Sequence, residues 1–146
     1  MGRQGYFRRK NKGTGMAKDR GVICDTNIVI ELFKNNNKVV KECLDIGVNN
    51  LCISAITVGE FYYGALNKRE IKSIRKHLSQ FAVLHLNESI SSIFVELMQN
   101  YCLGYKPFIG DMLIAATALY YDVEIYSLNR NDFHFISNLK LYNAVL

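Results

Sequence analysis

The stretch Gly21-Val22-Ile23-Cys24-Asp25 decides how this chain is expected to fold. Four small or apolar residues lead to a carboxylate, and Thr26-Asn27 follows before the apolar residues resume at Ile28. A short apolar run of this kind predicts a strand, and the polar residues behind it predict the start of a helix. Asp25 is therefore expected at the carboxyl end of a strand.

Similar strand-like runs recur along the chain and alternate with segments of helical period. The other predicted strands are Leu51–Ser54, Ala82–Leu86, Glu124–Ser127 and Lys140–Tyr142. Predicted helices cover Lys68–Ser79 and Glu88–Cys102, where apolar residues recur in steps of three and four, and Asp111–Tyr121, which is apolar almost throughout. Asn35–Asn37 and Gly104–Gly110 are predicted loops. Strands alternating with helices predict a mostly parallel sheet with helices on both faces.

Composition bounds the class of protein. The chain has 146 residues, of which 49% are hydrophobic and 21% charged, as expected for one soluble domain. Its apolar runs are far shorter than the roughly 20 residues of a membrane span, so no membrane association is predicted. The four cysteines form no C-x-x-C pair and the three histidines no H-E-x-x-H motif, so no zinc or redox site is predicted. Reduced thiols in a cytoplasmic protein are expected.

The net charge of +5 is concentrated at one end of the chain. Residues 1–20 carry seven bases and one acid, whereas residues 21–146 carry 11 bases and 12 acids. We therefore predict a basic, disordered tail over residues 1–20 and a single domain over residues 21–146. The tail has two interpretations: a basic arm that helps to bind nucleic acid, or an extension upstream of a natural start at Met16.

Four acids that are far apart in sequence are predicted to meet at one edge of the sheet. They are Asp25, Glu60, Asp111 and Asp132. Asp25 ends one strand and Asp132 follows another, while Glu60 and Asp111 are expected in the first turns of helices. In parallel α/β sheets the ligand site lies beyond the carboxyl ends of the strands, which is where these positions converge.

Each acid also has a purely structural explanation. Asp25 could cap a helix, and Thr57 with Glu60 fits a capping box. Asp111 is favoured near a helix N-terminus by the helix dipole, and Asp132 could close an Asx-turn. What favours a common role is the prediction of all four on the same rim.

Clustered carboxylates raise one another's pKa, and a divalent cation relieves that repulsion. Carboxylate oxygens and water suit Mg²⁺ or Mn²⁺. Two such ions about 3.5–4 Å apart can activate a water molecule and stabilise the leaving oxygen of a phosphodiester. The four acids therefore predict a metal-dependent site that cleaves phosphodiesters.

Four blocks of sequence, in order, resemble the PIN domain family, and more narrowly its VapC-type toxins. Ile23–Asn27 resembles the Asp-Thr-Asn motif, and Ile53–Gly64 resembles the Ser-x-x-Thr-x-x-Glu block. Ile109–Ala118 resembles the third block, and Ser127–Phe133 resembles the Thr-x-Asn-x-x-Asp-Phe ending. The resemblance covers about residues 21–146.

The resemblance implies an α/β/α sandwich around a mostly parallel sheet of four to five strands. It implies a Mg²⁺- or Mn²⁺-dependent endoribonuclease that acts as a toxin, cleaves RNA with metal-activated water, forms a homodimer and is neutralised by a small antitoxin. The metal-ligand and catalytic positions would be Asp25, Glu60, Asp111 and Asp132. The supporting positions would be Thr26, Asn27, Ser127 and Asn129, with Ser127 in place of the commoner threonine. Two alternatives stay open: a housekeeping RNA-processing PIN nuclease, and a catalytically weak PIN-like RNA-binding protein.

A basic stripe is predicted along one face of the helix at Lys68–Ser79. Its members are Lys68, Arg69, Lys72, Arg75 and Lys76. The stripe could hold RNA phosphates beside the acids, or it could be a solvated face opposite Ile71, Ile74 and Leu78.

Overall fold

Four short strands and six α-helices make up residues 21–144, the part of the chain that the computed structural model describes. The strands are β1 Val22–Cys24, β2 Leu51–Ser54, β3 Ala82–Leu84 and β4 Glu124–Tyr126. The helices are α1 Thr26–Phe33, α2 Asn37–Ile46, α3 Ala55–Tyr63, α4 Lys68–Leu78, α5 Glu88–Tyr105 and α6 Ile109–Tyr121. Single 3₁₀ turns cover Val48–Asn50 and Arg130–Asp132. The predicted basic tail, residues 1–20, lies outside the described residues.

The sheet is parallel throughout, with strand order β3-β2-β1-β4. In β1, Ile23 pairs with Cys52 of β2 on one side and with Ile125 of β4 on the other. The chain thus moves outward from β1 to β3 and then returns to the opposite side of β1. Such a reversal opens a crevice at the carboxyl end of the central strand. Asp25 lies at this position, where its N–H donates to the Tyr126 carbonyl at 2.9 Å.

Side chains of β1 alternate between the two faces of the sheet. Ile23 belongs to a core formed with α5 and α6, whereas Val22 and Cys24 belong to a second core formed with α1 and α2. All three side chains are buried. Burial on both faces explains why this strand is apolar throughout. It also confirms the predicted arrangement of helix, sheet and helix layers.

The run predicted as a fifth strand forms only one bridge. Leu141 lies parallel to Ile125, whose N–H donates to the Lys140 carbonyl at 2.9 Å. The Tyr142 N–H donates to the Ile125 carbonyl at 2.8 Å. These bonds cover the outer edge of β4 without extending into a ladder. The described sheet therefore has four strands, the lower of the predicted four to five.

Two loops are shorter than the sequence predicted. Of Gly104–Gly110, only residues 106–108 lie outside α5 and α6. Lys106 ends α5 in the left-handed conformation, with φ 47°, and Pro107 prevents the helix from continuing. Asn37 already belongs to α2, because the side chain of Asn36 accepts hydrogen bonds at the start of that helix.

The cysteines are free thiols, as predicted. Cys24, Cys43 and Cys52 are buried in the sheet and its covering helices, and Cys102 is partly exposed on α5. No helix within residues 21–144 has the length and apolar character needed to cross a membrane.

Packing against the sheet predicts a large stability difference between two leucine truncations. Leu84 in β3 is 0% exposed, whereas Leu103 in α5 is 88% exposed. We expect Leu84→Ala to lower the free energy of unfolding by about 2–5 kcal/mol, because it removes buried methyl groups and leaves a cavity. Leu103→Ala should change it by less than about 0.5 kcal/mol. Urea denaturation measures both; equal losses would contradict the assignment of Leu84 to the core.

Candidate active site

Asp25 is held through both oxygens of its carboxylate. It lies directly behind β1 and is 6% exposed. Oδ1 accepts a hydrogen bond from the Thr26 N–H at 2.8 Å, and Oδ2 accepts one from the Ser127 hydroxyl at 2.7 Å. Asp25 is therefore the N-cap of α1, as its structural explanation predicted, but only one oxygen serves the cap. The other joins α1 to the segment that follows β4.

Ser127 connects most of the predicted supporting residues. Its hydroxyl donates to Asp25 and accepts from the Asn27 side-chain amide at 3.3 Å and from the Asn129 N–H at 3.0 Å. Asn27 in turn accepts from the Leu128 N–H at 3.2 Å. A hydroxyl has one proton and two lone pairs, so the Ser127 side chain is fully satisfied. Asn129 contributes its backbone to this network.

Glu60 lies deeper in its helix than predicted. It is the sixth residue of α3 and not a first-turn residue, because α3 begins directly after β2. Ser54 is the N-cap, accepting from the Ile56 N–H at 3.0 Å. The capping box proposed for Thr57 and Glu60 is therefore wrong, since Thr57 is already inside the helix. Helix capping therefore does not explain why a carboxylate stands at position 60.

The pKa of Glu60 is raised above its ordinary value, chiefly by partial burial. Hydrogen bonding with the Thr26 side chain opposes this shift, and the charge of Asp25 adds to it. Thr26 Oγ1 also lies 3.1 Å from Thr57 Oγ1. One hydroxyl has one proton, so if Thr26 donates to Glu60, Thr57 must donate to Thr26. The sequence predicted only a capping role for Thr57, and the structure instead places its hydroxyl against that of Thr26.

Asp111 and Asp132 line a small cavity of about 140 Å³ together with Asn131. Asp111 is in the first turn of α6, as predicted, and Asp132 ends the 3₁₀ turn behind β4. The start of α6 also approaches α3: a Cβ placed on Gly110 would lie 3.4 Å from Oε1 of Glu60. The fold thus brings Asp111 beside Glu60 on one side and Asp132 on the other.

The four acids behave as one electrostatic group. Burial, followed by the charges of Asp25, Asp132 and Glu60, raises the pKa of Asp111 to about 7. The pKa of Asp25 is also raised, mainly by burial, against the hydrogen bonds from Ser127 and Thr26 and with a contribution from Asp132. The convergence predicted from the strand ends is therefore present in the structure.

The same acids do not form a finished coordination cage. Within residues 21–144, no three His, Cys, Asp or Glu side chains are arranged so as to hold a metal ion. Charges influence one another over longer distances than a coordination bond spans. The four acids can therefore shift one another's pKa values while no three of them stand close enough to coordinate one ion directly. Mg²⁺ usually keeps several water molecules and takes only one or two carboxylates directly. An open ring of oxygen ligands fits such a hydrated ion.

The predicted basic stripe is exposed along α4. Its five side chains face away from Leu78, which is buried, and Ile74, which is partly buried. A groove of about 460 Å³ runs from Thr26 in α1 and Glu60 in α3 to Ser73 and Ile74 in α4. None of the five bases is among the described residues that line this groove. Their contact with RNA stays a prediction.

Comparison with known proteins gives consistent matches. Residues 22–137 match the PIN domain family. "Ribonuclease VapC2" from Haemophilus influenzae is 30% identical over 127 residues, which cover 83% of this chain and 96% of that protein. A toxin-antitoxin complex from Klebsiella pneumoniae contains a chain with TM-score 0.69 and 29% identity, covering 86% of this chain and 100% of that one. DNA-bound VapBC from Salmonella typhimurium has TM-score 0.75 at 21% identity, with 86% and 99% coverage, and shows the fold alone.

The raised pKa of Asp111 predicts how stability depends on pH without metal. Between the ordinary value of 3.8 and about 7, the folded chain binds this proton more tightly than the unfolded chain. The free energy of unfolding should therefore fall as the pH rises through this window and level off above it. Asp111→Asn removes the effect, so its melting temperature should exceed that of the wild type by more at pH 8 than at pH 5.

Thermal denaturation in EDTA at the two pH values measures this difference. Asp45→Asn, at an exposed position on α2, is the matched control and should change the melting temperature equally at both. A pH-independent effect of Asp111→Asn would contradict the shift.

Proposed function

The chain belongs to the PIN domain family and, within it, to the VapC-type ribonuclease toxins of toxin–antitoxin pairs, and we propose that it hydrolyses RNA endonucleolytically at the four acids, with Mg²⁺ or Mn²⁺. The observation that carries this proposal is the mutual effect of the acids on their pKa values. Asp25, Asp111 and Glu60 all have raised pKa values, in part because each lies in the field of another carboxylate. Such a group costs free energy in the ionised state unless a cation balances it.

Asp25, Glu60, Asp111 and Asp132 would hold the divalent cations. When bound, these ions supply activation of a water molecule and stabilisation of the charge that develops on the phosphodiester oxygens. Within the chain, Ser127 and the Thr26 N–H fix the orientation of Asp25, and Thr57 fixes the Thr26 hydroxyl beside Glu60. Because protons compete with cations for carboxylates, metal affinity should increase as the pH rises through the pKa of Asp111, about 7.

The family of the chain supports a proposal about its partners. The structures similar to it include a toxin-antitoxin complex from Klebsiella pneumoniae and VapBC-1 from nontypeable Haemophilus influenzae. We propose that a small antitoxin protein neutralises this chain, that its substrate is RNA in the cytoplasm, and that it forms a homodimer. Growth arrest on expression, relieved by the antitoxin, would separate this role from housekeeping RNA processing.

Asp25→Asn tests the proposed activity directly. The substitution retains the shape of the side chain but removes the negative charge on the most tightly held acid, so metal-dependent RNA cleavage should fall below about one hundredth of the wild-type rate. Asp45→Asn on the surface of α2 should retain full activity. The measurement is cleavage of a labelled RNA with Mg²⁺, with Mn²⁺ and with EDTA, together with growth after induction. Equal cleavage in EDTA and in Mg²⁺ would contradict the proposal.

Ser127 should act as a positioning residue for Asp25. Ser127→Ala removes the hydroxyl that donates to Oδ2 of Asp25, so we expect a loss of about 10- to 100-fold in RNA cleavage and weaker metal binding. Ser127→Thr retains the hydroxyl and should restore most of both. Ser92→Ala, on the exposed side of α5, is the control. Metal affinity measured by titration calorimetry distinguishes this role from a loss of folding, and an unchanged affinity in Ser127→Ala would contradict it.

A further inference from the structure

A second cavity adjoins the site through Ser127. It has a volume of about 590 Å³, which is within the range of small-ligand pockets. The residues that matter for its chemistry are Lys38, Lys41, Glu42, Ser127, Arg130 and Tyr142. We call it the Glu42 cavity. Ser127 lines this cavity and also donates to Asp25, so a ligand here would be one residue away from that acid.

Glu42 is an acid buried in this wall, and no cation of residues 21–144 forms an ion pair with it. The residue is only 4% exposed, and Oε2 accepts a hydrogen bond from the Tyr142 hydroxyl at 2.8 Å. Among residues 21–144 it forms no ion pair, and Oε1 has no hydrogen bond. A buried carboxylate is costly unless its oxygens accept hydrogen bonds, and each oxygen can accept two. Glu42 therefore retains acceptor capacity, and it is one of the residues that line the cavity.

Three bases stand around the same cavity. Lys38 and Lys41 are exposed on α2, and Arg130 comes from the turn behind β4, where its Nη1 donates to the Tyr142 carbonyl at 3.0 Å. Within the described chain, none of the three forms an ion pair with a carboxylate. The cavity thus combines a surplus of positive charge at its edge with a buried acceptor in its wall.

We propose that the Glu42 cavity binds a guanine nucleotide of the RNA substrate, which deepens the function proposed above and rests on it. On its Watson–Crick edge guanine presents two adjacent donors, N1–H and N2–H₂, and these match a carboxylate. Adenine and cytosine present one amino donor beside an acceptor, which would face Glu42 unfavourably. Uracil presents one donor between two carbonyls. RNA is commonly recognised through such edges of unpaired bases.

The basic side chains and the position of Ser127 also suit an RNA nucleotide. Phosphates flanking the guanine would be attracted by Lys38, Lys41 and Arg130. Ser127 both lines the cavity and donates to Asp25, so the bond to be cut would be close to the bound guanine. A peptide carrying an arginine could also pair with Glu42, but the positive charges of Lys38, Lys41 and Arg130 disfavour a cationic ligand.

Binding of GMP and AMP to the whole chain in EDTA tests the site without metal at the acids. We expect GMP to bind at least about tenfold more tightly than AMP, a difference of about 1.4 kcal/mol. Glu42→Gln should remove this preference, because the amide replaces one acceptor with a donor but still accepts from Tyr142. Lys41→Ala, at an exposed position, should weaken the binding of both GMP and AMP. Glu96→Gln, exposed on α5, should change neither affinity.

Mapping of new 5′ ends in RNA cut by the wild type and by Glu42→Gln gives an independent readout. A guanine at a fixed position relative to the cut, lost in Glu42→Gln, supports the site. Equal affinity for GMP and AMP, an unchanged preference in Glu42→Gln, or binding of an arginine peptide in place of GMP would overturn it. Cleavage without guanine preference contradicts the site alone, whereas GMP binding through Glu42 without any metal-dependent cleavage contradicts the proposed function alone.

Discussion

Repulsion between carboxylates in a partly buried crevice is the constraint on which this structure depends. Burial and the charges of its neighbours raise the pKa of Asp111 to about 7, so without a counter-ion the cluster opposes folding near neutral pH. The fold must therefore offset this cost elsewhere. It does so with a parallel sheet that is covered by an apolar core on each face.

The crevice itself follows from strand order. Because β4 returns to the far side of β1, the segments behind these two strands lie next to each other, and Ser127 reaches Asp25 from 102 positions along the chain. Neutral donors hold both oxygens of Asp25, so this acid is oriented without a fixed positive side chain. Such an arrangement leaves the charge of the group available to a divalent cation, which is what a metal-dependent nuclease requires.

Ser127 also relates the proposed catalytic and recognition sites. On one side its hydroxyl orients Asp25, and on the other its residue lines the cavity that contains Glu42. The net charge of the whole chain has little bearing on either site, since residues 1–20 carry +6 and residues 21–146 carry −1. The features proposed to act on RNA are local: four acids for cations, and beside them three basic side chains around one buried acceptor. Cutting and base selection would then occur next to each other, near the carboxyl ends of β1 and β4.

The sequence by itself determined the fold class, the positions of the four paired strands and the convergence of four acids on one edge, because short apolar runs ending in polar residues are local signals. It also indicated that Thr26, Asn27 and Ser127 belong with those acids, through motifs that occur in a set order. It misplaced Glu60 in the first turn of a helix, because the capping pattern at Thr57 competes with the true cap at Ser54, and only the end of β2 decides between them. The cavity around Glu42 could not be predicted, since Glu42 and Tyr142 are 100 positions apart and neither stands in a motif. Only the tertiary structure brings them together, because contacts across a sheet depend on strand order, and strand order is not written in any local stretch of the chain.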